Sequence, residues 1–237
     1  MVKTQIAQAV QYWTATPELT GNEPGMPGSR PDRRVRRTRD AVHRALLALM
    51  LEKGYDAVTV ADIIDRADIG RSTFYTHYTD KQHVLDASLD QLATFLRAHS
   101  DASGGRLFGF SRALFEHVHE QRDLLRALLG RRGGTVVQNR IRQVLTDLVR
   151  EDLEPRTGAD ADVPVNIAVD SVVGAYLAIL NHWVDDNEPR PPRDMDLTFR
   201  RLVIPGVVAS LHLTPAAGDP SGTDHQSPPH WHGPATA

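Results

Sequence analysis

The chain has 237 residues, 41% of them hydrophobic and 24% charged, and a formal net charge of −3. That length and apolar content are enough for a buried core in one or two domains, which excludes a wholly disordered chain. The absence of cysteine excludes disulfides, thiolate metal sites and thiol nucleophiles, and no run of about 18 apolar residues suggests a membrane span.

The N-terminus, MVKTQIAQAVQYW, lacks the apolar core of a signal peptide, so the expected location is the cytoplasm. Residues 1–34 are rich in Gly, Pro, Thr and charge, with only Ile6, Ala9, Val10 and Trp13 at helical spacing, and read as a disordered extension. Arg30, Arg33, Arg34, Arg36, Arg37 and Arg39 are opposed within their run only by Asp32, leaving the rest of the chain acidic. This run is either a solvated arm or a flexible cationic arm that meets phosphates or enters a minor groove, with Arg37 among the candidate contacts.

A first helix of about four turns follows, because Val42, Ala45, Leu46, Leu49 and Met50 recur at helical spacing and Gly54 sits where a left-handed C-terminal cap belongs. Thr59 begins a short second helix as N-cap, with Asp62 completing a capping box and Ile63 and Ile64 forming its buried side. The third helix runs between Gly70 and Tyr78. Phe74 and Tyr78, four apart, point inward, which leaves Arg71, Ser72, Thr73, Tyr75, Thr76 and His77 on the outer and flanking faces. Two short helices joined by a tight turn, the second presenting small polar and aromatic groups, suit a DNA major groove.

From Asp80 a longer connector helix, residues 80–99, carries Leu85, Leu89, Leu92, Phe95 and Leu96 on one face. Helical patterns then cover Leu107 to Leu129, Val136 to Leu153, Val165 to Val184 and Asp194 to Leu213, with Pro205-Gly206 expected to kink or interrupt the last. Val165 to Val184 is apolar nearly all round and must be covered on every side. The tail from Thr214 is rich in Pro, Gly and Ser and reads as disordered; its His225, His230 and His232 would at most capture a metal. The expected architecture is all-α with about nine helices: 1–34 extension, 35–84 helix-turn-helix domain, 85–213 effector and dimerisation domain, and 214–237 tail.

The order of an amphipathic helix, Gly54, Thr59-Val60-Ala61-Asp62-Ile63, then Arg71-Ser72-Thr73-Phe74-Tyr75-Thr76-His77-Tyr78 and Asp80-Lys81 resembles the TetR family of bacterial repressors over about Arg37 to Leu89. The resemblance implies a homodimer whose N-terminal domain binds a palindromic operator and whose C-terminal helices bind a small-molecule effector and dimerise through the last two core helices. It places Thr59 on a phosphate as well as at a cap, Arg71, Ser72, Thr73, Tyr75 and His77 toward the groove, and Lys81 as a phosphate clamp. The family's usual turn glycine is here Asp68, which tolerates the left-handed conformation, and Gly70 stands where a serine cap is common.

For the effector, Phe115, His119, Leu125, Tyr176, Ile179 and Trp183 are candidate lining residues, with His117 or His182 as polar contacts; such a lining suits a lipophilic or aromatic ligand. His117 and His119, two apart on a helix, diverge by about 200° and do not share a metal. No nucleophile elbow, phosphate-cradling loop or HExxH motif occurs, so no enzyme activity, cofactor or metal is expected. The competing reading is a helical binding or interaction protein whose helix-turn-helix is not used on an operator.

Overall fold

A computed structural model describes residues 30–129, 134–186 and 190–213. The tail from residue 214 and the extension up to residue 29 lie outside them. Every regular element among the described residues is helical: α1 (Arg30–Lys53), α2 (Val60–Ala67), α3 (Arg71–His77), α4 (Lys81–Ala102), α5 (Ser111–Glu120), α6 (Arg122–Leu129), α7 (Gly134–Leu153), a 3₁₀ turn (Glu154–Arg156), α8 (Val165–Asp185) and α9 (Pro192–Leu211).

Three expectations are corrected by these boundaries. The helix α1 begins at Arg30, so the arginine run forms its first turns instead of a flexible arm, and the expected domain boundary at residue 34 falls inside a helix. The stretch Leu107 to Leu129 is two helices, because Gln121 leaves helical geometry (φ −111°, ψ 24°) and lets α6 turn away from α5. The last helix runs through Pro205 and Gly206 without interruption. Both are exposed there. A proline removes a single donor and needs room for its ring, so at an exposed position the helix absorbs it.

The N-terminal three helices pack around Val42, Leu46, Met50, Tyr55, Val58, Ile63 and Phe74, all at most 3% exposed. The connector α4 turns Val84, Leu85, Leu89 and Leu96 into this core and the next one. It is also tied to α7 by charge. Arg140 on α7 reaches Asp86 (2.8 Å) and Asp90 (3.0 Å) on α4, and Arg97 on α4 forms a two-pronged pair with Glu151, both contacts at 2.8 Å. No local pattern reveals such pairs between residues fifty or more apart.

The C-terminal lobe is built on α8. By length and composition this helix could cross a membrane, yet 44% of its most apolar window is buried inside the fold, as in a core helix. Tyr176 stacks on Phe199 of α9 at 3.8 Å between ring centres, and Phe108, Phe110 and Phe115 surround it. Arginines of α6 close the end of α8: Arg126 donates to Val184 O and Arg122 to Trp183 O, placing cations where a helix presents unpaired carbonyls. Phe108 adopts a left-handed conformation (φ 52°). It is held there by Asp152, which accepts its N–H, and by Arg200, which donates to its carbonyl at 2.9 Å.

Burial makes two histidines acid-sensitive. His43, on α1, shares a 2.8 Å hydrogen bond with the hydroxyl of Tyr78 in the head core. Desolvation, reinforced by the charge of Arg39, lowers its pKa from 6.5 to about 4. Desolvation alone lowers that of His117, on α5, to about 4. A folded-state pKa below the unfolded value means that stability is complete above about 6.5 and is lost as pH falls toward 4, where the unfolded chain takes up protons that the folded chain refuses. The expected loss is on the order of 1 kcal/mol or more per histidine. Urea unfolding at pH 7.5 and pH 4.5 measures it, and equal midpoints would contradict the assignment.

Candidate nucleic-acid interface

Local chemistry sets up the two short helices. Thr59 accepts the N–H of Asp62 at 3.2 Å while Asp62 accepts the Thr59 N–H at 2.7 Å, a complete capping box. Lys53 adds an ion pair to Asp62 at 2.7 Å, and these donors hold the Asp62 carboxyl well below the usual carboxylate range. Asp68 ends α2 in the left-handed conformation (φ 52°, ψ 52°), and Gly70 opens α3 in an extended one. Arg66 of α2 forks onto Glu52 of α1 at 3.0 and 2.7 Å, fixing the bracing helix from its far end.

The third helix divides as its periodicity requires. Phe74 is fully buried and Tyr78 is 4% exposed, their rings 5.8 Å apart. Arg71, Ser72, Tyr75 and Thr76 are exposed, and Thr73 and His77 are half-buried at the edges. Tyr75 is 53% exposed, with the edge of its ring against Phe74 at 5.4 Å. The Thr76 hydroxyl bonds back to Ser72 O at 2.8 Å. Arg71 and the hydroxyls of Ser72, Thr73 and Tyr75 hold no hydrogen bond or ion pair with another described residue, so their polar groups are available to a ligand outside the chain. Arg37 is exposed on α1, and Thr59 is exposed at the head of α2.

Lys81 is placed otherwise than expected. Its ammonium donates to the carbonyls of Tyr55 (3.0 Å), Asp56 (3.2 Å) and Val58 (2.9 Å) and lies 4.6 Å from the centre of the Tyr55 ring. All three protons are used inside the head, so the phosphate-clamp role is corrected to a structural one: Lys81 fastens the α1–α2 loop to the connector. Loop carbonyls converging on one cation leave no signal in the sequence. Lys81→Met is expected to cost about 1–3 kcal/mol of stability, since three carbonyls, two of them in part-buried contacts, lose a charged donor. It should leave the salt slope of DNA binding unchanged. Denaturation and binding at two salt concentrations test both parts, and a slope lowered by about one would restore the clamp.

The candidate effector residues do meet, but as packed side chains. Phe115 lies 6.2 Å from Tyr176 and 5.7 Å from Trp183, and His119 stacks on Trp183 at 5.9 Å. Phe115, Tyr176 and Trp183 are at most 2% exposed, Ile179 and Leu177 are half-buried, and His119 and His182 are exposed. Ring-to-ring contacts gather these side chains into one aromatic cluster of the C-terminal lobe. His117, half-buried beside Phe95, and exposed His119 diverge as predicted.

The family model described as bacterial regulatory proteins, tetR family, matches residues 44–88, and one described as transcriptional regulator C-terminal region matches residues 106–204. The HTH-type transcriptional regulator YxbF of Bacillus subtilis is 39% identical over 92 residues, 36% of this chain and 22% of that protein. TcmR of Streptomyces glaucescens, also an HTH-type transcriptional regulator, is 39% identical over 71 residues, 30% of each chain. The chain thus spans less than a third of the curated relatives it matches. A TetR transcriptional regulator from Streptococcus agalactiae has the same fold, with a TM-score of 0.56 and 23% identity over 73% of this chain and 97% of that one.

Proposed function

Since the chain belongs to the TetR family of bacterial regulatory proteins, we propose that it is a ligand-responsive repressor in the cytoplasm that binds a palindromic operator as a homodimer. One observation carries the reading: the outer face of α3 offers Arg71 and the hydroxyls of Ser72, Thr73 and Tyr75 with no hydrogen-bond or ion-pair partner among the described residues, on a helix anchored by fully buried Phe74. A face of that size, chemistry and rigidity fits a major groove, with Arg37 on α1 on the flanking phosphates, while Thr59, whose N–H and hydroxyl both donate to Asp62 at 2.7 and 2.6 Å, serves as the cap of α2 and not as a phosphate donor. No role as an enzyme is proposed.

The dimer is proposed to form through α8 and α9. Ile167 on α8 is 52% exposed and Leu202 on α9 is 70% exposed, and exposed Gly174, Ala178, Gly206 and Ala209 let helices approach closely. Paired with their copies, the two helices form a four-helix seam that covers these apolar groups. Leu202→Glu should convert the dimer to monomer in sedimentation velocity; an unaltered dimer would move the seam elsewhere.

Switching follows from the ties on α4. Arg140 and Arg97 couple it to α7, so a ligand that shifts the C-terminal lobe pivots the connector. The recognition helices then no longer match major grooves about 34 Å apart. The test is fluorescence anisotropy with duplexes from upstream of the gene, and with a random-sequence selection, at two salt concentrations. A specific palindromic site with a steep salt slope is expected; its absence from both sets of DNA overturns the proposal.

A further inference from the structure

A cavity of about 500 Å³ lies where the end of α4, the loop before α5, α5 itself and the first turns of α9 meet, and its walls are unusually rich in arginine. Two of its four guanidiniums are already matched. Arg200, with its side chain 10% exposed, pairs with Asp196 and donates to the carbonyls of Leu107 (3.0 Å) and Phe108 (2.9 Å), which makes it part of the wall. Arg112 pairs with Glu116 at 2.8 Å on the outer rim. Arg106 and Arg193 have no ion pair or hydrogen bond with a described residue. The Nε of Arg106 is moreover buried without a hydrogen-bond partner. A buried, unsatisfied guanidinium N–H is costly, and it marks a place where an acceptor is missing. The matched pairs cancel, so the cavity carries an excess of two positive charges, and Ala113 and Leu197 supply a small apolar wall.

We infer that this cavity is a binding site for a small organic oxyanion, a carboxylate or phosphate ester bearing a short apolar part, with Arg106 and Arg193 as its ligands. The planar fork of arginine suits either group, and the volume suits a small metabolite. Resting on the repressor reading above, the inference makes this anion the effector. It would sit where α4 ends, against the loop that Arg200 holds, and so act at the pivot of the connector. Tyr176 and the rings around it do not line this cavity.

Isothermal titration of the full chain with phenyl phosphate, benzoate and neutral benzyl alcohol tests it and separates the two oxyanion sources. One of the anions is expected to bind once per chain and the alcohol not at all. Arg106→Gln and Arg193→Gln should each weaken that binding at least tenfold, and Arg112→Gln should change it less than twofold. Arg106→Lys, which keeps the charge and the fold but loses the fork, should fall between. Binding of neither anion, equal binding of the alcohol, or indifference to both Arg106 and Arg193 would overturn the site. The effector role is read separately, as an anion-dependent loss of operator affinity of tenfold or more; unchanged operator affinity with the anion bound would overturn that role alone. A chain with no specific DNA site would sink the repressor reading and leave the calorimetry to judge the cavity.

Discussion

Tyr75→Ala is expected to lower specific operator affinity by about 5- to 150-fold, the 1–3 kcal/mol assigned to a good side-chain contact in the groove. The ring stands 53% exposed on the outer face of α3, with a hydroxyl that no described residue engages. The ring is half out in solvent and meets Phe74 with its edge, so stability should change by only about 0.5 kcal/mol. Binding to non-specific DNA should fall far less, because that affinity comes from phosphate contacts. Anisotropy titrations with the selected operator and with scrambled DNA, beside a urea melt, read all three quantities. Equal losses on both DNAs would make Tyr75 a phosphate contact, and no loss on either would remove it from the interface.

One position earlier the expected result reverses. Phe74 is fully buried in the hydrophobic core with its ring beside that of Tyr78, so Phe74→Ala should destabilise the chain by about 3–5 kcal/mol. Total stability of a domain is typically about 5–15 kcal/mol, so a large share of the head would unfold at physiological temperature. DNA binding would fall with it, on all sequences alike, and would recover on cooling or with a larger apolar side chain such as Phe74→Leu. Thermal denaturation followed beside operator binding distinguishes this from the effect at Tyr75. A loss of affinity without a loss of stability would mean that Phe74 faces the groove.

The pair shows which part of the interface was legible in advance. Inside and outside on α3 follow from a 3.6-residue repeat within eight residues, and Thr59, Asp62, Asp68 and Gly70 mark its boundaries through caps and turns that depend on neighbours at most four residues away. The arginine run was legible as charge but not as helix. Six arginines in ten residues repel one another and suggest a solvated arm, yet as a continuation of α1 they line a helix whose later turns are held by the head core. Lys81 was misplaced for the opposite reason. Its type and position suited a phosphate, while its three acceptors are carbonyls of a loop more than twenty residues upstream.

Sequence alone determined the all-helical class, the helix-turn-helix and the split of α3 into a packed and a reading face, because each depends on periodicity and capping within a few residues. Tertiary structure decided the rest. It packed Phe115, Tyr176 and Trp183 against one another, joined α4 to α7 through Arg140 and Arg97, buried His43 against Tyr78, and left Arg106 and Arg193 without a partner among the described residues around an open cavity. Whether an aromatic ring lines a space or fills it, and whether an arginine is neutralised or left over, depends on which distant side chains arrive beside it. That is a property of packing between helices, and no local pattern records it.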